Sequence, residues 1–159
     1  MPTVPLPRPE DCNCFAVRSA ARHVTQLYDQ LLAPAGLRVT QFSILAKLKR
    51  KGPLTINVLA DDMVMDRTTL GRNIRPLERD GLISIEAAAS DRRAKELHLT
   101  KAGENRLRAG LEAWAKAQAR CRAAHAAAGG GCQPIHAHRS RRKAVRSDSS
   151  HMDELSANI

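Results

Sequence analysis

Aromatic side chains are nearly missing from this chain: 159 residues include two Phe, one Tyr and one Trp. A core must therefore be built from Leu, Ile, Val, Ala and Met, which suits packed helices better than a β-sandwich. No run of about 18 apolar residues exists, which excludes a membrane-spanning helix and a membrane partner of that kind. The N-terminal "MPTVPLPRPED" is proline-rich and lacks the apolar stretch of a secretory signal, so a cytoplasmic location is expected. In that compartment the four cysteines are not a structural disulfide framework. There is also no Gly-rich phosphate loop, no clustered carboxylate pair and no nucleophile motif. His23 and His98 stand alone. An enzyme is the least favoured class, and no cofactor or metal is expected.

Cations are abundant instead. Lys and Arg number 26 against 16 Asp and Glu, a formal charge of +10. Residues 126–159 hold five of the cations and three of the anions, so most of the surplus lies before them. Such a balance favours a polyanionic partner but does not by itself separate nucleic acid from an acidic membrane surface.

Apolar spacing divides the chain into helices. A first helix is predicted from about Cys14 to Ala33, with Val24, Leu27, Tyr28, Leu31 and Leu32 on one face. "APAGL" breaks it. A second helix starts near Thr40 as N-cap, buries Phe42, Leu45 and Leu48, and ends in "KLKRKGP", whose cations suit the negative end of the helix dipole. Thr55 can cap a short third helix with Ile56, Leu59, Ala60 and Met63. Asp66 can cap a fourth, with Leu70, Ile74 and Leu77 inward and Gly81 as its stop. "LISIE", the turn "ASDRR" and "AKELHLT" form a β-hairpin. Thr100 then caps a long fifth helix with Leu107, Leu111, Trp114 and Gln118 on one side. The expected architecture is mainly α with a small β-hairpin wing: a winged helix-turn-helix with flanking dimerisation helices. Residues 1–11 are expected to be a flexible arm, 12–125 the winged-helix domain, and 126–159 a low-complexity, disordered tail.

The fourth helix carries the residue types that read DNA. Thr68, Arg72, Arg75 and Arg79 project opposite its apolar stripe, flanked by Arg67, Thr69 and Asn73. Arg forks onto guanine, Asn onto adenine, and Thr offers a methyl or hydroxyl. Arg67, Thr68, Thr69 and Arg72, nearest the N-terminus, are placed to reach bases. Arg75 and Arg79 suit phosphates or intramolecular partners. A merely solvated charged face is the competing reading. Pro76 removes one hydrogen bond from the helix interior and either kinks it or bends it without consequence. Gly71 can admit a neighbouring helix or the DNA backbone. At the hairpin tip, Arg92, Arg93 and Lys95 suit the electronegative minor groove, and Asp91 can hold an arginine in place.

The run from "TQFSILAKL" through "LADDMVMDRTTLGRNIRPLERDGLISIEAAASDRRAKELHLTKAG" resembles the MarR family of bacterial transcriptional regulators. The resemblance covers about Cys12 to Arg122. Its most specific parts are "LERDGLI", the wing with Asp91 and Arg93, and "LAPAGL". It implies a homodimer on the palindromic operator of double-stranded DNA, usually a repressor, with Arg93 in the minor groove and Asp91 bracing it. It also implies release by a small phenolic or lipophilic ligand, or by cysteine oxidation. The family binds such ligands between the first, second and fifth helices, where Arg18 and Trp114 are candidates here.

Family members interlock terminal helices from both ends, whereas "AAAGGGCQPIHAHRSRRKAVRSDSSHMDELSANI" shows no sustained apolar period. It reads as a diverged terminus or an altered reading frame. A second function class follows: a truncated or diverged protein that acts through protein contacts, pairing with relatives rather than binding an operator itself. Cys132, His136 and His138 fit no tetrahedral zinc spacing. The stretch "CNCFAVRSAAR" resembles the start of the organic hydroperoxide-sensing branch. There the cysteine at the Cys14 position is oxidised, sometimes joining a partner-subunit cysteine, and Tyr28 matches a tyrosine that hydrogen-bonds the reactive sulfur. Arg18 and Phe42 or Val39 stand where that branch has further tyrosines. Cys121 is a candidate resolving partner. The alternative is that the thiols simply pack.

Overall fold

The computed structural model describes Arg8, residues 12–88 and residues 95–127. Residues up to Cys121 form one compact unit; of a second unit, Arg122–Ile159, only helical residues 122–127 are described. The expected arm and tail otherwise lie outside the described residues.

Helix α1 (Asn13–Leu32) closes into a 3-10 turn at Ala33–Ala35. Gly36 follows at φ +67°, the left-handed conformation that glycine adopts without penalty. Helix α2 (Val39–Lys51) leads into strand β1 (Leu54–Thr55) and helix α3 (Ile56–Met63). Helix α4 (Arg67–Arg79), strands β2 (Ile83–Ala87) and β3 (Lys95–Leu99), and helix α5 (Lys101–Ala127) complete the order. The strands form one antiparallel sheet in the order β1-β3-β2. The hairpin is thus two-thirds of a small sheet. The first strand escapes the periodicity argument because Leu54 and the helix cap Thr55, two residues after Pro53, carry no pattern.

Leu32, Ile44, Leu45, Leu59, Leu70, Leu77 and Leu97 are fully enclosed and make the centre of the core. As expected from four aromatics, aliphatic side chains fill it. Phe42 is buried and stacks on half-buried Trp114, with ring centroids 5.9 Å apart and planes 15° from parallel.

Three expectations are corrected here. Thr40 does not cap α2. Arg38 is the N-cap residue, the Gln41 side chain accepts from its N–H (2.9 Å), and Asp29 of α1 accepts from the Val39 N–H (2.7 Å). The cap comes from another helix, which local sequence does not reveal. Leu111 is half-exposed rather than on the buried face of α5. That face is instead Gly103, Leu107, Gly110 and Ala117, because α5 approaches its neighbours through glycine. A Cβ at Gly110 would lie 3.1 Å from Phe42, and one at Gly103 would collide with the Leu82 carbonyl. Gly71, by contrast, has open space where a Cβ would be, so no neighbouring helix requires it.

The cations of "KLKRK" do more than face a dipole. The Lys47 and Lys51 ammonium groups each lie 2.7 Å from Asp62 Oδ2, and Lys47 also donates to the Asp62 carbonyl (3.2 Å). Lys49 reaches Glu104 at 2.6 Å. Alternate faces of one helix end thereby tie α2 to α3 on one side and to α5 on the other. The two lysines, Lys47 first, hold the Asp62 carboxyl down at about 2.

Candidate nucleic-acid interface

Helices α3 and α4 and the turn between them make the helix-turn-helix. Thr55 caps α3 by accepting from the Val58 N–H at 3.3 Å. Val64 ends α3 at φ 57°. A β-branched residue is strained there, by about 1–2 kcal/mol, because its Cβ crowds the following carbonyl. Closure of the turn by the Met65 N–H on the Ala60 carbonyl (3.0 Å) holds it in place. Asp66 then caps α4, accepting from the Thr69 N–H at 2.8 Å. Those Thr69 hydrogen bonds hold the Asp66 carboxyl below its ordinary value, so it stays ionised at the positive end of the helix.

On α4, Leu70, Ile74 and Leu77 are buried. Arg67, Thr68, Arg72, Arg75 and Arg79 are exposed, and Thr69 and Asn73 are half-buried at the edges. The exposed set is not uniform. Arg79 is held by its neighbour Asp80 at 2.9 Å. Asn73 donates to the Thr69 carbonyl at 2.9 Å, which commits the amide group that adenine would need. Among the described residues no carboxylate pairs with Arg67, Arg72 or Arg75. The cations free to meet a polyanion are therefore the N-terminal and central ones. Pro76 lies inside α4 and is half-buried.

Of the hairpin candidates, Lys95 is exposed at the start of β3, opposite Ala87. Asp91, Arg92 and Arg93 lie outside the described residues, as do Cys132, His136 and His138. The thiols are apart. Cys12 and Cys14 are exposed, Cys121 is half-buried against the core, and all three are free. Tyr28 is buried on the same helix as Cys14, 14 residues on, a rise of about 21 Å. Within one chain the tyrosine and the thiol are not neighbours.

The ligand candidates are not brought together either. Arg18 is exposed on α1 and Trp114 is committed to Phe42. The cavity between α2 and α5, about 310 Å³, is lined by Ala46, Lys49, Arg50, Glu104, Leu107, Arg108 and Leu111. Sequence reasoning named Leu107 and Leu111 only as the apolar side of the fifth helix and did not assign this lining to a pocket. A further signal was present but unread: apolar Ala46 sits one turn before Arg50 on α2, and Leu107 and Leu111 flank Arg108 on α5.

With this geometry in view, the sequence profile of the MarR family matches residues 37–95. A crystal structure of the transcriptional regulator MosR of M. tuberculosis in complex with DNA superimposes with a TM-score of 0.67 at 34% identity, over 92% of this chain and 96% of that one. The chain belongs to the MarR family. A probable transcriptional regulator from Pseudomonas aeruginosa is 27% identical over 93% of this chain and 99% of that one, TM-score 0.65. The organic hydroperoxide resistance transcriptional regulator of Bacillus subtilis (strain 168) is 27% identical over 94 residues, 59% of this MarR-family chain. The match spans 64% of that relative's length. Among the described residues of this family member, no helix is long and apolar enough to cross a membrane.

Proposed function

We propose that this MarR-family chain is a cytoplasmic, DNA-binding transcriptional repressor that acts by binding rather than by catalysis. The observation that carries the reading is the exposed stripe Thr68, Arg72 and Arg75, on a helix capped by Asp66 and seated by Leu70, Ile74 and Leu77. Presented to a major groove, Arg67, Thr68 and Arg72 read bases, and Arg75 neutralises phosphate. Arg93 of the hairpin enters the minor groove with Asp91 as its brace, and Arg92 and Lys95 hold flanking phosphates. MosR, named as a complex with DNA, supports the same use of the fold here.

The repressor works as a homodimer on a palindromic operator. Residues 13–26 of α1 are exposed except for half-buried Ser19, and they display Phe15, Val17 and Val24. Apolar groups left exposed on both sides of this helix suit burial against a second copy. That copy's α1 would also bring a Tyr28 toward Cys14, the arrangement in which oxidation of Cys14, resolved by Cys121, releases DNA. A phenolic or lipophilic anion is the other effector class. It would lie on Ala46, Leu107 and Leu111 with its charge toward Arg50 and Arg108.

The test is a titration of duplexes selected by the wild-type chain from a random pool. Arg72→Ala is expected to cost about 10- to 100-fold in affinity for the selected duplex, the worth of one bidentate base contact. Equal affinity of the wild type for selected and scrambled duplexes would sink the reading. Light scattering checks the dimer, and a monomer would favour pairing with relatives instead. Peroxide that frees Cys14→Ser from DNA as readily as wild type would remove the redox step.

A further inference from the structure

The recognition helix is fixed at both ends, and the two ends are fixed differently. Its N-terminus is closed by its own Asp66. Its C-terminus is closed by a backbone turn that Thr100, the residue before α5, ties down. There the Gly81 N–H bonds the Glu78 carbonyl (2.9 Å) and the Leu82 N–H bonds the Leu77 carbonyl (2.8 Å), with Gly81 at φ +66°. The Thr100 hydroxyl donates to the Gly81 carbonyl at 2.7 Å and accepts from the Gly103 N–H at 3.0 Å, while the Thr100 N–H bonds the Leu82 carbonyl at 3.2 Å. A hydroxyl is the small group that can both give and take a hydrogen bond. Thr100 spends one on the end of α4 and the other on the first turn of α5. Gly103 lets α5 lie directly on the Leu82 backbone, where any Cβ would collide.

We infer that Thr100 is a positioning residue for DNA reading: its hydroxyl locks the end of α4 to the start of α5, so that a shift of α5 turns the recognition helix. The inference rests on the DNA-binding reading above and names how that site is held. Helix α4 spans 13 residues, about 20 Å, so a small pivot at Gly81 displaces Arg67 and Thr68 at the far end. Base contacts require that placement, whereas phosphate attraction tolerates its loss.

Three variants separate the lock from mere folding. Thr100→Val keeps the shape and loses both hydrogen bonds, Thr100→Ala loses them without bulk, and Thr100→Ser keeps them. Each is titrated against a duplex selected by the wild type and a scrambled duplex of equal length. Val and Ala are expected to weaken the selected duplex about tenfold while the scrambled one stays within about twofold, and Ser to match wild type. Amide hydrogen exchange should quicken at Gly81, Leu82 and Gly103 in the Val or Ala variant, with α2 amides unchanged. A parallel fall for both duplexes, no change for either, or a Ser variant as weak as Val would overturn the proposal. If the wild type prefers no duplex, the DNA-binding reading fails. Hydrogen exchange then judges the lock alone, and unchanged exchange at Gly81 and Gly103 refutes it.

Discussion

Helix α4 and the first half of α1 are both amphipathic, and this chain completes only one of them. Helix α4 has a side-chain cap at Asp66, three enclosed apolar residues and an end tied to α5. The beginning of α1 has Cys12 at its N-cap with no side-chain hydrogen bond, no acidic residue in its first turn, and Phe15 and Val17 at 50% and 69% exposure. Isolated helices of this length are marginal in water without a packed face. What the difference teaches is that α4 is completed by contacts within this chain, whereas the first half of α1 leaves apolar side chains uncovered in it.

The largest way to break that comparison is to delete equivalent apolar groups in the two helices. Leu70→Ala is expected to cost about 2–5 kcal/mol in denaturant unfolding, since its side chain is fully enclosed. Phe15→Ala is expected to change monomer unfolding by less than about 0.5 kcal/mol yet to weaken self-association in sedimentation. Equal costs in unfolding would show that the arm is already packed.

Next comes charge. Asp62 is held at about 2, well below an unfolded carboxyl, so its bond to Lys47 and Lys51 stabilises the fold above about pH 4. That stability is lost as pH falls through 2. Asp62→Asn is expected to cost about 1–2 kcal/mol at pH 7, allowing for solvent screening of the lysines, and to flatten acid unfolding below pH 4. An unchanged acid transition would remove the clamp from the account.

Caps give a smaller effect of opposite sign in the two helices. Asp66→Ala is expected to lower the denaturant midpoint of unfolding, while Cys12→Asp, which supplies the missing cap, should raise the helicity of α1 by circular dichroism. Smallest is the turn. Val64→Gly should relieve its left-handed conformation and raise unfolding stability by about 1 kcal/mol, offset in part by glycine's freedom in the unfolded chain.

Much of this was legible beforehand because it is local. Asp66, Thr55 and Thr100 are capping residues three positions before the N–H they satisfy, and Leu70, Ile74 and Leu77 repeat at helical spacing. The face carrying Thr68, Arg72 and Arg75 follows from that spacing. The cap of α2 was not legible, because its acceptor is ten residues away on another helix. Nor was the inward face of α5, where glycine rather than leucine marks the closest packing. For the arm of α1, periodicity placed Val24 on a buried face. Apolar spacing reports that a face wants cover and is silent on which molecule provides it; Val24 is 41% exposed in this chain.

Helix positions, the caps of α3, α4 and α5, the basic face of α4 and the wing pattern are thus properties of the sequence, because each depends on residues within a turn or two of one another. Tertiary structure alone decided that Lys47 and Lys51 converge on Asp62 and that the Thr100 hydroxyl joins two helices. Those outcomes depend on which side chain meets which across the folded core, a distance along the chain that no local pattern encodes.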